Sequence, residues 1–535
     1  MPRIKGKGKG KTISGTIPNK AHHFDTRLII AGLIVAFLVW LFLTFCYILG
    51  FWNTVSLLFS PWRLSLLTIT VIVFISVILF TTIFIVIVGR CNTNKLLKQW
   101  EQQDNQVTVG FLHPYCSAGG GGERVLWNSI QALQDRYSFV QCVIYTADSK
   151  GDNDKIITGV RRNFNIQLKR PVKFIHLRST NVLKLKTWPL STLLGQSITS
   201  MWVGAEALIS FIPNVFIDTT GLAFNLILFK WLGRCKTSCY VHYPTISTDM
   251  LKVVENQTQA FNNAAWISNS IIMTKLKVFY YKVFSMLYSL VGNRSDVVMV
   301  NSSWTHGHIK QLWNPKRLSI VYPPCDTSAF MYASATPTKE GQFRVVSVGQ
   351  FRPEKNHEMQ INILAKLLEN VQRKDSVVFV FIGSCRNQED EHYLVTLKEY
   401  AIQLGIKKKN IEWKTGIPFE ELKKELKKAT AGLHVMSNEH FGIGVVECMA
   451  AGCVIVAHNS GGPRMDIVKE WKGAMTGLLA DTVDSFVEQL LIVYEMSLEQ
   501  REAVVSTAQA SVNHRFSVEC FHTNFLRATE ALFNV

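Results

Sequence analysis

Two long apolar runs open the chain, and short apolar runs spaced by helical periods fill the rest. Residues 28–52 ("LIIAGLIVAFLVWLFLTFCYILGFW") and 64–89 ("LSLLTITVIVFISVILFTTIFIVIVG") contain no formally charged side chain. Each is long enough to cross the ~30 Å of bilayer hydrocarbon as a helix. The first lacks a small-residue cleavage pattern and is followed at once by the second. A transmembrane helical hairpin over 28–90 is therefore predicted, not a cleaved signal peptide. From about 106 onward, "QVTVGFLHP", "FVQCVIYTA", "VKFIHLR", "ALISFIP" and "TSCYVHYP" predict buried strands, with a helix at "ERVLWNSIQALQDR". Residues 331–342 are small and polar and read as a linker, after which the rhythm restarts. "FRVVSVGQF", "VVFVFIGS", "IEWKTG", "AGLHVMS" and "CVIVAHNSGG" read as strands, and helices are predicted over 357–371, 390–404, 419–430 and 442–451.

This alternation predicts the α/β class, with two Rossmann-like, doubly wound parallel sheets whose strand C-termini face a common cleft. The expected organisation is a basic tail 1–27, the hairpin 28–90, a first Rossmann-like domain 106–330, a second 343–500, and C-terminal helices 501–535. The last helices either finish the chain or fold back on the first domain. Two segments break the rhythm: 221–233 is expected to pack on the first sheet, and the aromatic-rich 271–291 is expected to touch the membrane interface.

Charge sets the orientation. The tail carries Arg3, Lys5, Lys7, Lys9, Lys11, Lys20 and Arg27; Arg63 lies between the runs; Arg90, Lys95 and Lys98 follow the second. The positive-inside rule then places both ends in the cytosol, with everything after residue 90 cytosolic. The sequons at Asn256, Asn293 and Asn301 are accordingly expected to be unmodified. Eleven irregularly spaced cysteines fit a reducing compartment, and Cys235 and Cys239 lack a second pair to make a zinc site. The net charge of +18 suits an anionic membrane or phosphorylated substrates. No nucleic-acid-binding motif accompanies it, so no nucleic acid partner is expected.

Three motifs carry chemistry. In "HPYCSAGGGGERVLW" (113–127), the glycines Gly119, Gly120, Gly121 and Gly122 join a strand to a helix start. Such a loop lets the backbone approach a ligand and adds the helix N-terminus for an anion, in a spacing that is neither GxGxxG nor Walker A. In "VGQFRPEKNHEM" (348–359), Arg352 and Lys355 project from a loop before a helix, as a diphosphate clamp requires. In "SNEHFGIGVVECMAAGC" (437–453), Glu439 precedes the Phe441-Gly442 turn, and Glu447 sits in a helix of apolar neighbours. A carboxylate on a buried helix needs a partner, and ribose hydroxyls are one.

Glu439 and Glu447 form the E-x7-E pattern of the retaining GT-B glycosyltransferases, and the glycine loop, "RPEKN", "VHYP" and "SGGP" follow in that family's order over about 107–500. "FLHPYCSAGGGGERVLW", "CYVHYPTISTDML", "VNSSWT" and "HFGIGVVECMAAG" resemble the α-1,2-mannosyltransferases of asparagine-linked glycosylation in the endoplasmic reticulum. The resemblance implies transfer from GDP-mannose to a dolichyl-diphosphate oligosaccharide, adding the fourth and fifth mannoses on the cytosolic face. It also implies the lipid bilayer and other mannosyltransferases of the pathway as partners. By position, Glu439 and His242 would face the transferred mannose and Glu447 the ribose. Phe441 and Gly442 would offer backbone amides, and Lys355 would hold the diphosphate. Gln350 stands where the family has arginine, and Arg352 is the candidate to replace it.

Retention by double displacement would need a carboxylate under the anomeric carbon, and Glu439 is the candidate. The resemblance instead makes it a sugar-binding, charge-stabilising group in a front-face reaction. No cofactor or metal is expected, since no DxD-type pair lies in a suitable loop. A related GT-B transferase of lipid-linked sugars, with another acceptor or UDP-N-acetylglucosamine as donor, is the alternative.

Overall fold

The computed structural model describes residues 62–101, 106–179, 192–246, 271–331 and 342–533. The basic tail, the first apolar run, the linker 332–341 and the sequon at Asn256 lie outside the described residues. Of the expected hairpin, only the second helix falls within the described residues. This is α1 (Trp62–Gln99), of which Ile72–Gln99 is long and apolar enough to span a membrane. Only 6% of its most apolar stretch is buried, as expected of a helix built for lipid and not for a protein core.

The C-terminal end of α1 is joined tightly to the first domain. It packs on α2 (Thr192–Ser210), where a Cβ at Gly89 would come within 2.4 Å of the Leu208 carbonyl oxygen. Asn92 donates to the Ile209 carbonyl (2.8 Å), and Arg90 donates to that of Gly233 (2.7 Å). The Thr93 hydroxyl accepts the Ile212 N–H at 2.7 Å.

The first sheet has seven parallel strands in the order β3-β2-β1-β4-β5-β6-β7. They are β1 (Val107–Leu112), β2 (Val140–Thr146), β3 (Lys173–His176), β4 (Val215–Asp218), β5 (Lys236–Val241), β6 (Val297–Val300) and β7 (Leu318–Ile320). One expected strand is not there: Ala207 to Ser210 of "ALISFIP" end α2, and β4 begins two residues after Pro213. An apolar run of that length bounded by proline fits a strand or a buried helix end equally by pattern. Here the close contact with α1 keeps it apolar all round, and Pro213 stays outside the sheet.

Helices cover both faces of this sheet. On one lie α2, α3 (Phe224–Trp231) and α4 (Ile271–Gly292). The expected packing of 221–233 is realised by Leu226 and Phe229. In α4, Tyr281, Phe284, Tyr288 and Val291 are core, while Leu276, Phe279, Met286 and Leu290 project outward with more than half their surface exposed. So 271–291 is at once a core helix and an apolar outer face. On the other side of the sheet lies the helix that follows the glycine loop, α5 (Gly121–Arg136).

The second sheet has six parallel strands in the order β10-β9-β8-β11-β12-β13. They are β8 (Phe343–Val348), β9 (Val377–Gly383), β10 (Ile411–Thr415), β11 (Ala431–His434), β12 (Val454–His458) and β13 (Leu478–Ala480). Helices His357–Asn370, Gln388–Gln403 and Phe419–Lys428 fall where periodicity places them. Two helices close the chain, α6 (Leu498–Phe516) and α7 (Val518–Phe533), and α7 returns to the first domain. Its Phe521, Phe525 and Leu532 join the cluster of Val109, Phe111 and Trp127 against α5.

Candidate active site

The glycine loop leaves β1 at His113, a buried residue whose Nδ1 lies 2.8 Å from the Thr219 hydroxyl. Glu123, in the first turn of α5, reaches back to accept the Gly120 N–H at 2.8 Å. The loop faces the second domain at close quarters. A Cβ at Gly121 would stand 2.8 Å from Ile443 Cδ1, and one at Gly120 4.0 Å from Arg386 Nη2. On the other side, a Cβ at Gly122 would meet both His113 Cε1 and His242 Nε2 at 3.8 Å, and one at Gly119 would meet Asn163 at 3.7 Å. At Gly121 a side chain would press on Ile443, and at the other three positions glycine keeps the backbone open to a ligand. Gly121→Val is expected to cut turnover by about 10²-fold, as misplacement of a reacting group does. Steady-state kinetics with a thermal melt checks it; near-normal turnover would show that the loop can retreat.

The facing edge is the N-terminus of α8 (Ile443–Ala450). Gly442 caps it at φ 109°, a left-handed conformation that a side chain would strain. Glu439 lies in the loop before it, and that loop rests on Gly461 and Gly462. Cβ atoms there would come within 2.3 Å of the Glu439 and Phe441 carbonyl oxygens respectively. The Gly462 N–H donates to the Glu439 carbonyl at 2.7 Å, and the Asn438 N–H to the Ser460 hydroxyl at 2.7 Å. The Phe441 side chain is buried against Tyr322 and Phe516.

Lys355 ends a 3₁₀ turn (Pro353–Lys355). Its aliphatic stem lies about Gly349, where a Cβ would sit 3.5 Å from its Cγ and Cδ. Its Nζ is 2.5 Å from Glu439 Oε2 and 3.2 Å from Met436 Sδ. His434 Nε2 stands 3.4 Å from the same carboxylate oxygen. Burial alone would raise the Glu439 pKa, but His434 and Lys355 outweigh it and hold the carboxyl far below the usual range.

His242 follows β5, with its Nε2 3.2 Å from the Thr219 carbonyl oxygen, so that nitrogen carries the proton. Burial first, then His113, lowers its pKa to about 4, which leaves a neutral imidazole at neutral pH. The Asn301 side chain supports it from behind, donating to the His242 carbonyl at 2.9 Å.

Two residues are engaged elsewhere than expected. Arg352 does not join Lys355; it pairs with Glu354 at 3.2 Å and Asp390 at 3.7 Å, and Arg386 is the arginine beside the glycine loop. Glu447 has found its partner within the protein: Oε1 accepts from Arg124 Nη1 at 2.9 Å, across the cleft. The two domains are further tied by Asp466, which accepts from the Ser303 N–H (2.9 Å) and the Ser303 (2.5 Å) and Tyr322 (2.8 Å) hydroxyls. Nothing in the local sequence pattern singles out Arg124, Arg386 or Asp466. Arg124 was in view inside the glycine motif, but its partner lies 323 residues away.

The arrangement can hold a diphosphate between a helix N-terminus, Lys355 and a backbone-only loop, with an ionised carboxylate and a neutral imidazole beside it.

Residues 106–313 match the family described as ALG11 mannosyltransferase N-terminus, and residues 332–511 match Glycosyl transferases group 1. A Xenopus laevis protein named GDP-Man:Man(3)GlcNAc(2)-PP-Dol alpha-1,2-mannosyltransferase is 47% identical over 473 residues, covering 85% of this chain and 96% of its own. The Homo sapiens protein of the same name is 48% identical over 446 residues, covering 82% and 90%. Among solved structures, Anabaena HepE in complex with UDP and glucose aligns with a TM-score of 0.55 at 15% identity, over 80% of this chain and all of that one. The sucrose-phosphate synthase of Thermosynechococcus elongatus aligns at 0.56 and 14% identity, over 80% and 99%. The fold is GT-B.

Proposed function

Because the chain belongs to the family of GDP-Man:Man(3)GlcNAc(2)-PP-Dol alpha-1,2-mannosyltransferases, we propose that it transfers mannose from GDP-mannose to a dolichyl-diphosphate-linked trimannosyl-chitobiose. The linkage made is α-1,2, and the fourth and fifth mannoses are the ones added. The reaction takes place at the cytosolic face of the endoplasmic reticulum, with α1 in the bilayer and its basic C-terminal flank on the cytosolic side.

One observation carries the chemistry: the Lys355–Glu439 pair stands at the N-terminus of α8, opposite the glycine loop. In the reading it supports, the donor diphosphate lies on that N-terminus between Lys355 and the loop glycines, and Glu447 takes the ribose while its Oε1 still accepts from Arg124. The mannose lies between Glu439 and His242. As the glycosidic bond breaks, positive charge grows on the sugar beside the Glu439 carboxylate, and negative charge grows on the diphosphate beside Lys355. The acceptor hydroxyl attacks from the face the diphosphate leaves, and the departing diphosphate oxygen takes its proton. The α configuration is thereby kept. Neutral His242 acts as a hydrogen-bond partner of the sugar, not as an acid. The charge on the leaving group is met by Lys355, Arg386 and backbone N–H groups, so the step proceeds without a divalent metal.

The test is transfer to a phytanyl-diphosphate trimannosyl-chitobiose in EDTA, with GDP-mannose and UDP-N-acetylglucosamine compared as donors. Added α-1,2-mannose with GDP-mannose alone is the expected result. Transfer only from the other donor would overturn the substrate reading, and loss of turnover in EDTA would overturn the metal-free step.

A further inference from the structure

Four aromatic side chains meet where the two domains face each other, and the chemistry above uses none of them. Tyr243 follows His242 at the end of β5, and Trp304 and His308 lie one turn apart on the helix Ser303–Trp313. His440 follows Glu439 in the opposite domain. The Tyr243 and Trp304 rings are almost parallel, 7° apart with centroids 6.0 Å apart. His440 lies against both, at 4.2 Å from Tyr243 and 5.4 Å from Trp304, and His308 meets the edge of Trp304 at 4.2 Å. All four are half-buried, so this is a lining and not a core. The Ser303 N–H and hydroxyl, held by Asp466, fix the start of the helix that carries Trp304.

We propose that Tyr243 and Trp304 form a platform for the face of the acceptor's terminal hexopyranose, and that His440, which covers Tyr243 at 4.2 Å with no room for a sugar between them, withdraws to admit it. The position follows from reach. The attacking hydroxyl has to come within about 3–3.5 Å of the anomeric carbon, and neighbouring residues are ~3.8 Å apart along the chain. A sugar whose hydroxyl attacks a mannose held between His242 and Glu439 is therefore within reach of Tyr243 and His440, the residues that follow them. The character of the lining also fits. Phosphates call for cations, whereas flat aromatic faces with a few polar edges suit the C–H face of an uncharged sugar. Burial lowers the His440 pKa, which keeps this ring uncharged as well. Because His440 shares its loop with Glu439, opening the cleft withdraws the cover, and closing it brings His440 and the ionised carboxylate up to the seated acceptor together.

The proposal rests on the mannosyl transfer inferred above, and its test keeps the two apart. Full-length enzyme in detergent is assayed with the phytanyl-linked acceptor for the KM of acceptor and of GDP-mannose separately, with GDP affinity measured alongside. Trp304→Ala and Tyr243→Ala are expected to raise the acceptor KM tenfold or more, with GDP affinity and the GDP-mannose KM within about twofold of wild type. Trp304→Phe should recover most of the loss, which a general folding defect would not allow. An unchanged acceptor KM, or a rise in the GDP-mannose KM instead, would overturn the platform. If wild type failed to use GDP-mannose at all, the reaction reading would fall. The platform would then be judged on the lipid-free glycan alone, by saturation-transfer NMR. Weaker binding to Trp304→Ala than to wild type would support it, and equal binding would overturn it.

Discussion

Glu439→Gln is expected to lower the rate of mannosyl transfer by about 10²–10³-fold while GDP affinity changes little, the signature of a group that acts on charge arising in the transition state. The side chain keeps its size, so the loop on Gly461 and Gly462 has no reason to move. What disappears is a negative charge that His434 and Lys355 hold ionised against burial. The folded pKa lies below the unfolded one, so the stability this pair contributes is complete above the ordinary carboxylate pKa. It is lost only as pH falls through the depressed value. Over the neutral range Glu439 therefore stays charged, and no acid limb of the wild-type pH–rate profile belongs to it. Lys355, 25% exposed at its side chain, loses a charged partner in a largely buried pair, so the variant should also lose about 1–3 kcal/mol of stability. Single-turnover rates with a GDP titration decide the matter. A rate within tenfold of wild type would remove Glu439 from the reacting centre.

Lys355→Met should be about as damaging but in a different pattern. The lysine meets the diphosphate both before and after the bond breaks, so GDP affinity should fall tenfold or more, together with a loss of about 10²-fold in rate. It also leaves Glu439 buried beside one fewer cation. With only His434 left to oppose burial, the carboxyl pKa moves upward, and the rate of the variant should fall off at a higher pH on the acid side than that of wild type. The pH–rate profile reads this directly. Because the two residues act on each other at 2.5 Å, the double variant should lose much less than the product of the single losses. A fully multiplicative loss would mean that the contact has no part in catalysis.

Much of the architecture was legible because its signals are local. The glycine run, the strand-to-helix switches and the Glu439–Glu447 spacing each lie within about one strand-turn-helix unit, where pattern carries structural meaning. The chain misled where two structures share one pattern. "ALISFIP" is apolar whether it ends a helix clamped against α1 or forms a strand, and only the Gly89 contact with Leu208 decides. The short β6, β7 and β13, three or four residues each, offer too little length for any period to register. Pairings across the cleft leave no mark in either partner's neighbourhood: Arg124 with Glu447, Tyr243 with His440, Ser303 with Asp466. Arg352 shows the converse. Its position beside Lys355 suggested a shared task, but Asp390, at the start of the helix Gln388–Gln403, holds it elsewhere.

The return of α7 to the first domain has a consequence for the protein's birth. Phe521, Phe525 and Leu532 complete a core begun by Val109 and Phe111, more than four hundred residues earlier in the chain. During synthesis the first sheet is made early, next to the apolar helix α1, yet the part of its face that α7 covers beside α5 stays bare until the whole second domain has been made. The amino-terminal half is thus not a unit that matures while the rest is still being translated. The nascent chain must shield that surface while the second domain is produced, and the sixteen-residue α7 is the seal that ends the exposure.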